Sequence, residues 1–485
     1  MPVRSFHGFA SRYSAMPLRL ACAVLAASAV LLASGCSSAL STLAGGQALP
    51  FSNAQQAEQN AREKTDLDKR RAALEEVYEK YIKIIANSKE GSKFIDRARF
   101  AAAQLQKELV VPGGANYDRA TQLLDDVIAS NPTGYLAARA RSEKAAIRAN
   151  REAIQTARSR IDNTPDDASD EQWAETLGAI LSLADSYESL GDYETAISEY
   201  ERMMEIADRR SKKANDVFYR KAAEAQFKIG NIYFYRYFDY ADGWPEFDKL
   251  RQDYPLSDQA KEAESILRDA DKALQLIKEE QDYIRTVANK KALDYLKAGR
   301  DVTPYEIYGA AGEQAAQAYL RSARLWEKPP LVNRVYAIKN YRAITRQLWS
   351  ESFVAGDAAF QIGRLYQDNG DYLKALDAYE EMFDRFPHSI WHNLAIYNRA
   401  VCYETIREFE LAYREYKAAA GFGTDETFYR AAEQKVRQFE QDEDGDGYKF
   451  YQEQQHGASD RDKDSYPGSV KPMGEEPADD GLAAQ

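Results

Sequence analysis

From about residue 67 to 440, apolar residues recur every three to four positions almost without a break, and β-hairpin signals are absent. That period predicts an all-α chain. Within it one pattern returns in register: Ile362-Gly363-x-x-Tyr366-x-x-x-Gly370-Asp371-Tyr372-x-x-Ala375-x-x-x-Tyr379, closing at Pro387. Gly363 and Ala375 are small enough to let two helices touch, the tyrosines fill the space around them, and Gly370-Asp371 makes the turn. A second copy runs from Leu183-Ala184 through Tyr187, Gly191-Asp192-Tyr193 and Ala196 to Tyr200. A third carries Ile229-Gly230, Tyr240, Phe247, Leu250 and Pro255, with one extra residue in its turn; a fourth carries Ala400, Tyr403, Phe409, Ala412 and Tyr416. Partial copies follow Tyr117, with Ala120, Leu124 and Pro132, and Ala337, with Tyr341 and Ile344. Repeats are thus expected over 67–260 and 331–440. A long charged helical insertion is expected over 261–330, either pairing the two blocks or leaving them as a coiled excursion.

These copies match the tetratricopeptide pattern of a large residue, a small residue, an aromatic, then alanine, aromatic and proline. Helix ends reading Tyr254-Pro255-Leu256-Ser257 and Phe386-Pro387-His388-Ser389 resemble the periplasmic branch of that superfamily. The branch includes the β-barrel assembly lipoprotein BamD and the Tol-Pal-associated coordinator proteins; this chain departs from BamD in its length, its insertion and its C-terminus. The resemblance implies a superhelical solenoid that binds proteins or peptides in a concave groove. The groove positions, carried over, are Phe227, Asn231, Phe234 and Tyr235; Phe360, Arg364, Gln367 and Asp368; and Tyr397 and Glu404. Packing against the neighbouring repeat is the competing reading for each phenylalanine.

The first 36 residues read as an export signal rather than as fold. Arg4, Arg12 and Arg19 flank or precede an apolar stretch from Leu20 to Leu32, and no acidic residue occurs before Cys36. That stretch is short beside the roughly 20 residues of a membrane-spanning helix. Ala33-Ser34-Gly35-Cys36 resembles the lipobox of bacterial lipoprotein precursors, although Ala33 stands where leucine is usual. The resemblance implies lipidation of Cys36, a membrane anchor, and, with Ser37 following, an outer-membrane location facing the periplasm. Residues 37–66, rich in Ser, Ala, Gly, Gln and Asn, are expected as a flexible tether. The net charge of −13 argues against nucleic acid as a partner.

After the last repeat, Asp442-Glu443-Asp444-Gly445-Asp446-Gly447-Tyr448-Lys449-Phe450-Tyr451-Gln452-Glu453 fits the calcium loop of an EF-hand over 442–466. Asp442, Asp444 and Asp446, the Tyr448 carbonyl and Glu453 would supply the oxygens that a hard cation requires. Phe450 at the ninth position and Lys449 at the eighth argue against a paired sensor and for a single structural loop of dockerin or thrombospondin-3 type. Asp460, Asp462 and Asp464 alternate as well, the trace of a second, incomplete loop. His388 and His392 lack further ligands for zinc, and Cys402 reads as a buried thiol. The tail over 467–485 is expected to be disordered. No phosphate loop, nucleophile elbow or HExxH motif occurs, so no enzyme and no small-molecule substrate are expected. The leading expectation is an envelope scaffold docking an assembly, secretion or division machine. A peptidoglycan-associated spacer is the alternative, and a wall-glycan hydrolase the remote one.

Overall fold

The computed structural model describes residues 48–468 apart from 65, 89–91, 109–116, 211, 212, 214, 215, 289–303, 347–351 and 422–426. Among these residues there are eighteen α-helices and no strand. The chain begins with α1 (Ala48–Arg62), α2 (Leu67–Asn87), α3 (Lys93–Glu108), α4 (Tyr117–Ser130) and α5 (Tyr135–Asp162). It continues with α6 (Asp170–Leu190), α7 (Tyr193–Arg210), α8 (Val217–Asn231), α9 (Tyr240–Asp253), α10 (Asp258–Tyr283) and α11 (Pro304–Glu327). The last seven are α12 (Arg334–Arg346), α13 (Ala355–Asp368), α14 (Tyr372–Arg385), α15 (His392–Thr405), α16 (Phe409–Ala420), α17 (Thr427–Phe439) and α18 (Phe450–His456). Most pack chiefly on their neighbours in sequence; α6 with α8 and α13 with α15 also meet across one intervening helix, and α18 packs mainly on α16. That is the contact pattern of a solenoid, a quasi-one-dimensional stack.

Close approach within a pair depends on a missing side chain. A Cβ on Gly363 would lie 2.4 Å from the Tyr379 ring, and one on Gly230 would lie 2.6 Å from Phe247. Both rings are fully buried. Their counterparts Tyr200 and Tyr416 are buried as well, on helices paired with those bearing Ala184 and Ala400.

The turns between paired helices repeat one hydrogen bond. The N–H of Asp192, Asp371 and Glu408 donates to the carbonyl of Tyr187, Tyr366 and Tyr403, each at 2.9 Å. The residue just before the donor is left-handed: Gly191 (φ +85), Gly370 (φ +75) and Arg407 (φ +64). Such an end satisfies helix carbonyls that would otherwise lack partners. In the third pair the extra residue is taken up by a π-helical turn over Ile232–Tyr237, after which Asp239 N–H reaches Tyr233 O at the same 2.9 Å. An insertion in a helix is commonly absorbed as this kind of bulge.

One expectation changes, and one of two open readings is taken. The tether expected over 37–66 is helical from Ala48 to Arg62. Phe51, Ala54, Glu58 and Ala61 are buried there, the first and the alanines in one core with Tyr81, Phe94 and Leu105. Alanine and a buried glutamate carry little hydropathy, so the helix is masked in the apolar pattern. The insertion expected over 261–330 is no excursion in its described part. Leu267, Ala270 and Ile277 of α10 share the central core with Ala315, Ala316, Leu320 and Ala323 of α11. The signal residues through Cys36 and the tail beyond Gly468 lie outside the described residues.

The solenoid also meets itself. Helices α1, α3 and α5 touch α12–α14 and the turn between them far along the chain, through polar groups and an edge contact of the Tyr135 and Tyr372 rings. Gln59 donates to Val335 O at 3.4 Å, Tyr135 donates to Gly370 O at 3.2 Å, and Arg97 pairs with Asp377 at 2.5 Å. Lys339 pairs with Glu63 at 3.4 Å, and Lys374 stands 4.0 Å from Glu58.

Candidate functional site

In four of the helix pairs the first helix carries polar groups in a repeating relay. The buried ring of the second helix sends its hydroxyl back to the first. Tyr200 donates to Asp185 at 2.6 Å, Tyr379 to Gln367 at 2.9 Å, Tyr416 to Glu404 at 2.6 Å, and Tyr341 to Glu327. The acceptor, or the hydroxyl itself, then takes a donor from the next pair. Lys228 reaches Asp185 at 2.9 Å, Arg364 reaches Glu327 at 2.5 Å, and Lys435 reaches Glu404 at 2.6 Å. Asn398 donates to the Tyr379 hydroxyl at 3.2 Å. Burial, and then the facing carboxylate, raise the Tyr200, Tyr341 and Tyr416 hydroxyls far above the usual tyrosine range, so they remain donors. The relay ties α7 and α6 to α8, α12 and α11 to α13, α14 and α13 to α15, and α16 and α15 to α17.

Of the groove residues expected from sequence, the structure brings Arg364, Gln367 and Asp368 together on α13. Arg364 bonds Asp368 at 2.8 Å as well as Glu327, while Gln367 and Glu404 are engaged in the relay. Phe234 and Phe360 are core residues, which is the competing packing reading and not the groove role. Phe234, within the π-turn, is fully buried among Tyr240, Trp244 and Phe247. Phe360 is stacked on Trp391 at 5.1 Å. Phe227, Asn231, Tyr235 and Tyr397 are half-buried; Phe227 packs on Phe247, and Tyr397 lies between Tyr416 and Phe428. The most exposed large apolar side chains among the described residues are elsewhere: Phe353 and Ile390 are each 89% exposed. They flank neighbouring inter-repeat turns, which touch where a Cβ on Gly356 would meet Ser389 Oγ at 2.6 Å. Their signal in the sequence is an apolar residue in a turn, outside the helical period.

The acidic loop is built on the last repeat. Phe439, fully buried at the end of α17, packs on Phe409 and Tyr416, and Phe450 at the start of α18 packs on Phe439. Tyr451 stacks on Tyr413 at 4.4 Å. Between these anchors the loop folds around its own carboxylates: Asp442 accepts from the N–H of Gly445 and Gly447, and Asp444 from that of Asp446. Asp446 accepts from Tyr448 N–H, and Gly445 and Gly447 supply the positive φ values. One oxygen each from Asp442, Asp444 and Asp446 lies within 4.8 Å of the others, the sole such group among the described residues. Glu453 stands just outside that group, fully buried, with no donor to either oxygen; Asp444 and Asp446 each have one buried oxygen in the same condition. Burial, the contact with Asp460 and the charges of Asp460, Asp444 and Asp446 push the Glu453 carboxyl up to about 7. An orphaned carboxylate beside three converging ones matches the donor set of a hard cation.

His392 lies against Phe383 at 4.7 Å, and burial, Arg399 and His388 lower its pKa. Cys402 is fully buried, and burial pushes its thiol up to about 12, an inert group.

The tetratricopeptide-repeat family model matches residues 357–389, the α13–α14 pair and the turn after it. No curated protein matches the chain. Among solved structures, the TPR domain of P58(IPK) is 15% identical, with 76% of this chain and 86% of that one covered and a TM-score of 0.23. A circular tandem repeat protein with novel repeat topology and enhanced subunit contact surfaces is also 15% identical, covering 81% and 95%, with a TM-score of 0.15. The fold, an all-α tetratricopeptide-type superhelix, rests on the 357–389 match and on the helix pairing itself.

Proposed function

We propose that this chain is a lipid-anchored envelope scaffold that holds protein partners on a rigid tetratricopeptide array and carries a structural calcium ion at its C-terminal end. Tetratricopeptide arrays are protein-interaction scaffolds, and the stacking of repeats creates their extended binding surfaces. The observation that carries the reading is the relay from Asp185–Lys228 to Glu404–Lys435. It makes neighbouring repeats one stiff surface while leaving Phe353 and Ile390 in water. A stiff array loses little entropy on binding. The anchor is lipid on Cys36, and the stretch from Cys36 to Ala48 reaches at most about 40 Å fully extended. The array therefore stays close to the membrane, most consistently the outer membrane on its periplasmic side. No described helix is long and apolar enough to cross a bilayer.

The calcium would be held by Asp442, Asp444, Asp446, the Tyr448 carbonyl and Glu453, and it would neutralise carboxylates that now face one another. It contributes stability, not chemistry.

Two experiments test the reading. Cys36→Ser should abolish metabolic labelling with fatty acid and membrane sedimentation; persisting label refutes the anchor. Affinity purification of the parent from crosslinked cells should yield a defined protein complex, whereas recovery of wall glycan alone would favour a spacer.

A further inference from the structure

Asp460 lies beyond the twelve-residue loop, yet it is 8% exposed. Its neighbours show where it belongs. Asp460 Oδ1 accepts the N–H of Glu443, inside the loop, at 3.1 Å. Its carboxyl also contacts that of Glu453, the buried group whose oxygens meet no donor. Two carboxylates cannot satisfy each other without a proton or a cation between them. The segment around it is drawn to the same place: Arg461 pairs with Glu443 at 2.9 Å, and Tyr466 stacks on Tyr448 at 6.2 Å.

The alternative home for Asp460, a second loop with Asp462 and Asp464, does not form. Asp462 accepts Asp464 N–H at 3.2 Å, as Asp444 and Asp446 accept theirs in the first loop, but the second set of carboxylates does not converge. Among the described residues the one converging group is that of Asp442, Asp444 and Asp446. Inside the first loop the ninth position is Phe450, whose ring is packed on Phe439 and offers no oxygen. A calcium-sized ion takes six to eight oxygens. With Glu453 bidentate the loop offers six, the low end of that range, and Asp460 is the buried carboxylate beside it.

We infer that Asp460 is a further ligand of the same divalent cation, supplied from outside the loop, so that the ion clips residues 457–466 back onto the last repeat. This inference rests on the calcium reading of the loop and adds to it a structural consequence: the position of residues 457–466 is set by the ion. The segment itself has few apolar anchors; of its residues only Ala458 and Asp460 are buried.

The test uses the full mature chain, with calcium chloride titrated by calorimetry and trypsin cleavage after the exposed Arg461 and Lys463 followed in parallel. The parent should bind one calcium per chain, and saturating calcium should slow both cleavages about tenfold or more. Asp460→Asn keeps an oxygen for the Glu443 N–H but loses the charge. It should weaken calcium binding about tenfold or more and lose most of the protection even at saturation. Asp464→Asn removes an equal charge nearby and should change neither. If Asp460→Asn binds and protects as the parent does while Asp442→Ala abolishes binding, the loop reading stands and the clip is refuted. An equal loss in Asp464→Asn also refutes it, because bulk charge then explains the effect. A parent that binds no calcium overturns the loop reading itself, and the clip with it.

Discussion

Replacing Gly363 with alanine sets two effects against each other. In a helix interior this change ordinarily stabilises by about 1 kcal/mol. At Gly363 the added Cβ would stand 2.4 Å from Cε1 and 2.6 Å from Cδ1 of Tyr379. That ring is fully buried, and its hydroxyl is held by Gln367 and Asn398, so it cannot swing aside without breaking the relay. Overpacking costs about 1–3 kcal/mol, which leaves a net loss of up to about 2 kcal/mol once the propensity gain is counted. Gly178 in α6 is the control: a Cβ there meets nothing within 4 Å, and Gly178→Ala should stabilise by about 0.5–1 kcal/mol. Stacked repeats need not unfold as one unit, so the assay is amide hydrogen exchange resolved by segment. Protection should fall across α13–α14 in Gly363→Ala and rise across α6–α7 in Gly178→Ala. Protection that rises in both would refute the close-packing argument.

Three further outcomes follow from particular side chains. Burial alone would raise the Glu58 carboxyl, but Lys374, Arg62 and the Tyr81 hydroxyl outweigh it and hold the pKa at about 2. The folded value lies below the unfolded one of about 4.3, so this stabilisation is complete above the unfolded value and is lost as pH falls towards 2. Glu58→Gln should therefore flatten the loss of stability between about pH 5 and pH 2; an unchanged acid limb on denaturant titration contradicts the pairing. Gly370→Ala meets no atom within 4 Å, yet φ is +75, so it should cost about 1–2 kcal/mol from backbone strain alone; a neutral melting shift contradicts this. Asp442→Ala combined with Asp446→Ala should abolish any rise in melting temperature on adding calcium. A parent that shows no such rise contradicts the ion.

The repeats are legible in sequence because their physics is local. Gly363, Tyr379 and the Gly370-Asp371 turn sit at fixed offsets, and the structure places the ring on the glycine. The turn survives where its glycine is replaced by Arg407, and the Tyr403 and Phe409 spacing still marks it. What is hidden depends on contacts far apart in the chain. Helix α1 is anchored by alanines and by Glu58, whose partner Lys374 lies more than 300 residues away, and no periodicity reports such a pair. Phe234 and Phe360 sit at groove offsets, but the first lies within a π-turn, the second stacks on the Trp391 ring, and both are core. Asp460 was legible as an acidic alternation, while its approach to Glu443 and Glu453 is a matter of tertiary folding.

The scaffold claim is tested most directly by placing a photoreactive amino acid at Ile390, and in parallel at Phe353, in living cells. Arg209 on α7, with a largely exposed side chain in a different repeat, serves as the reference position. Irradiation should give a discrete protein adduct at Ile390 or Phe353 that is absent at Arg209. Adducts confined to wall glycan, or no adduct at either turn, would contradict a protein-binding role for this face of the array.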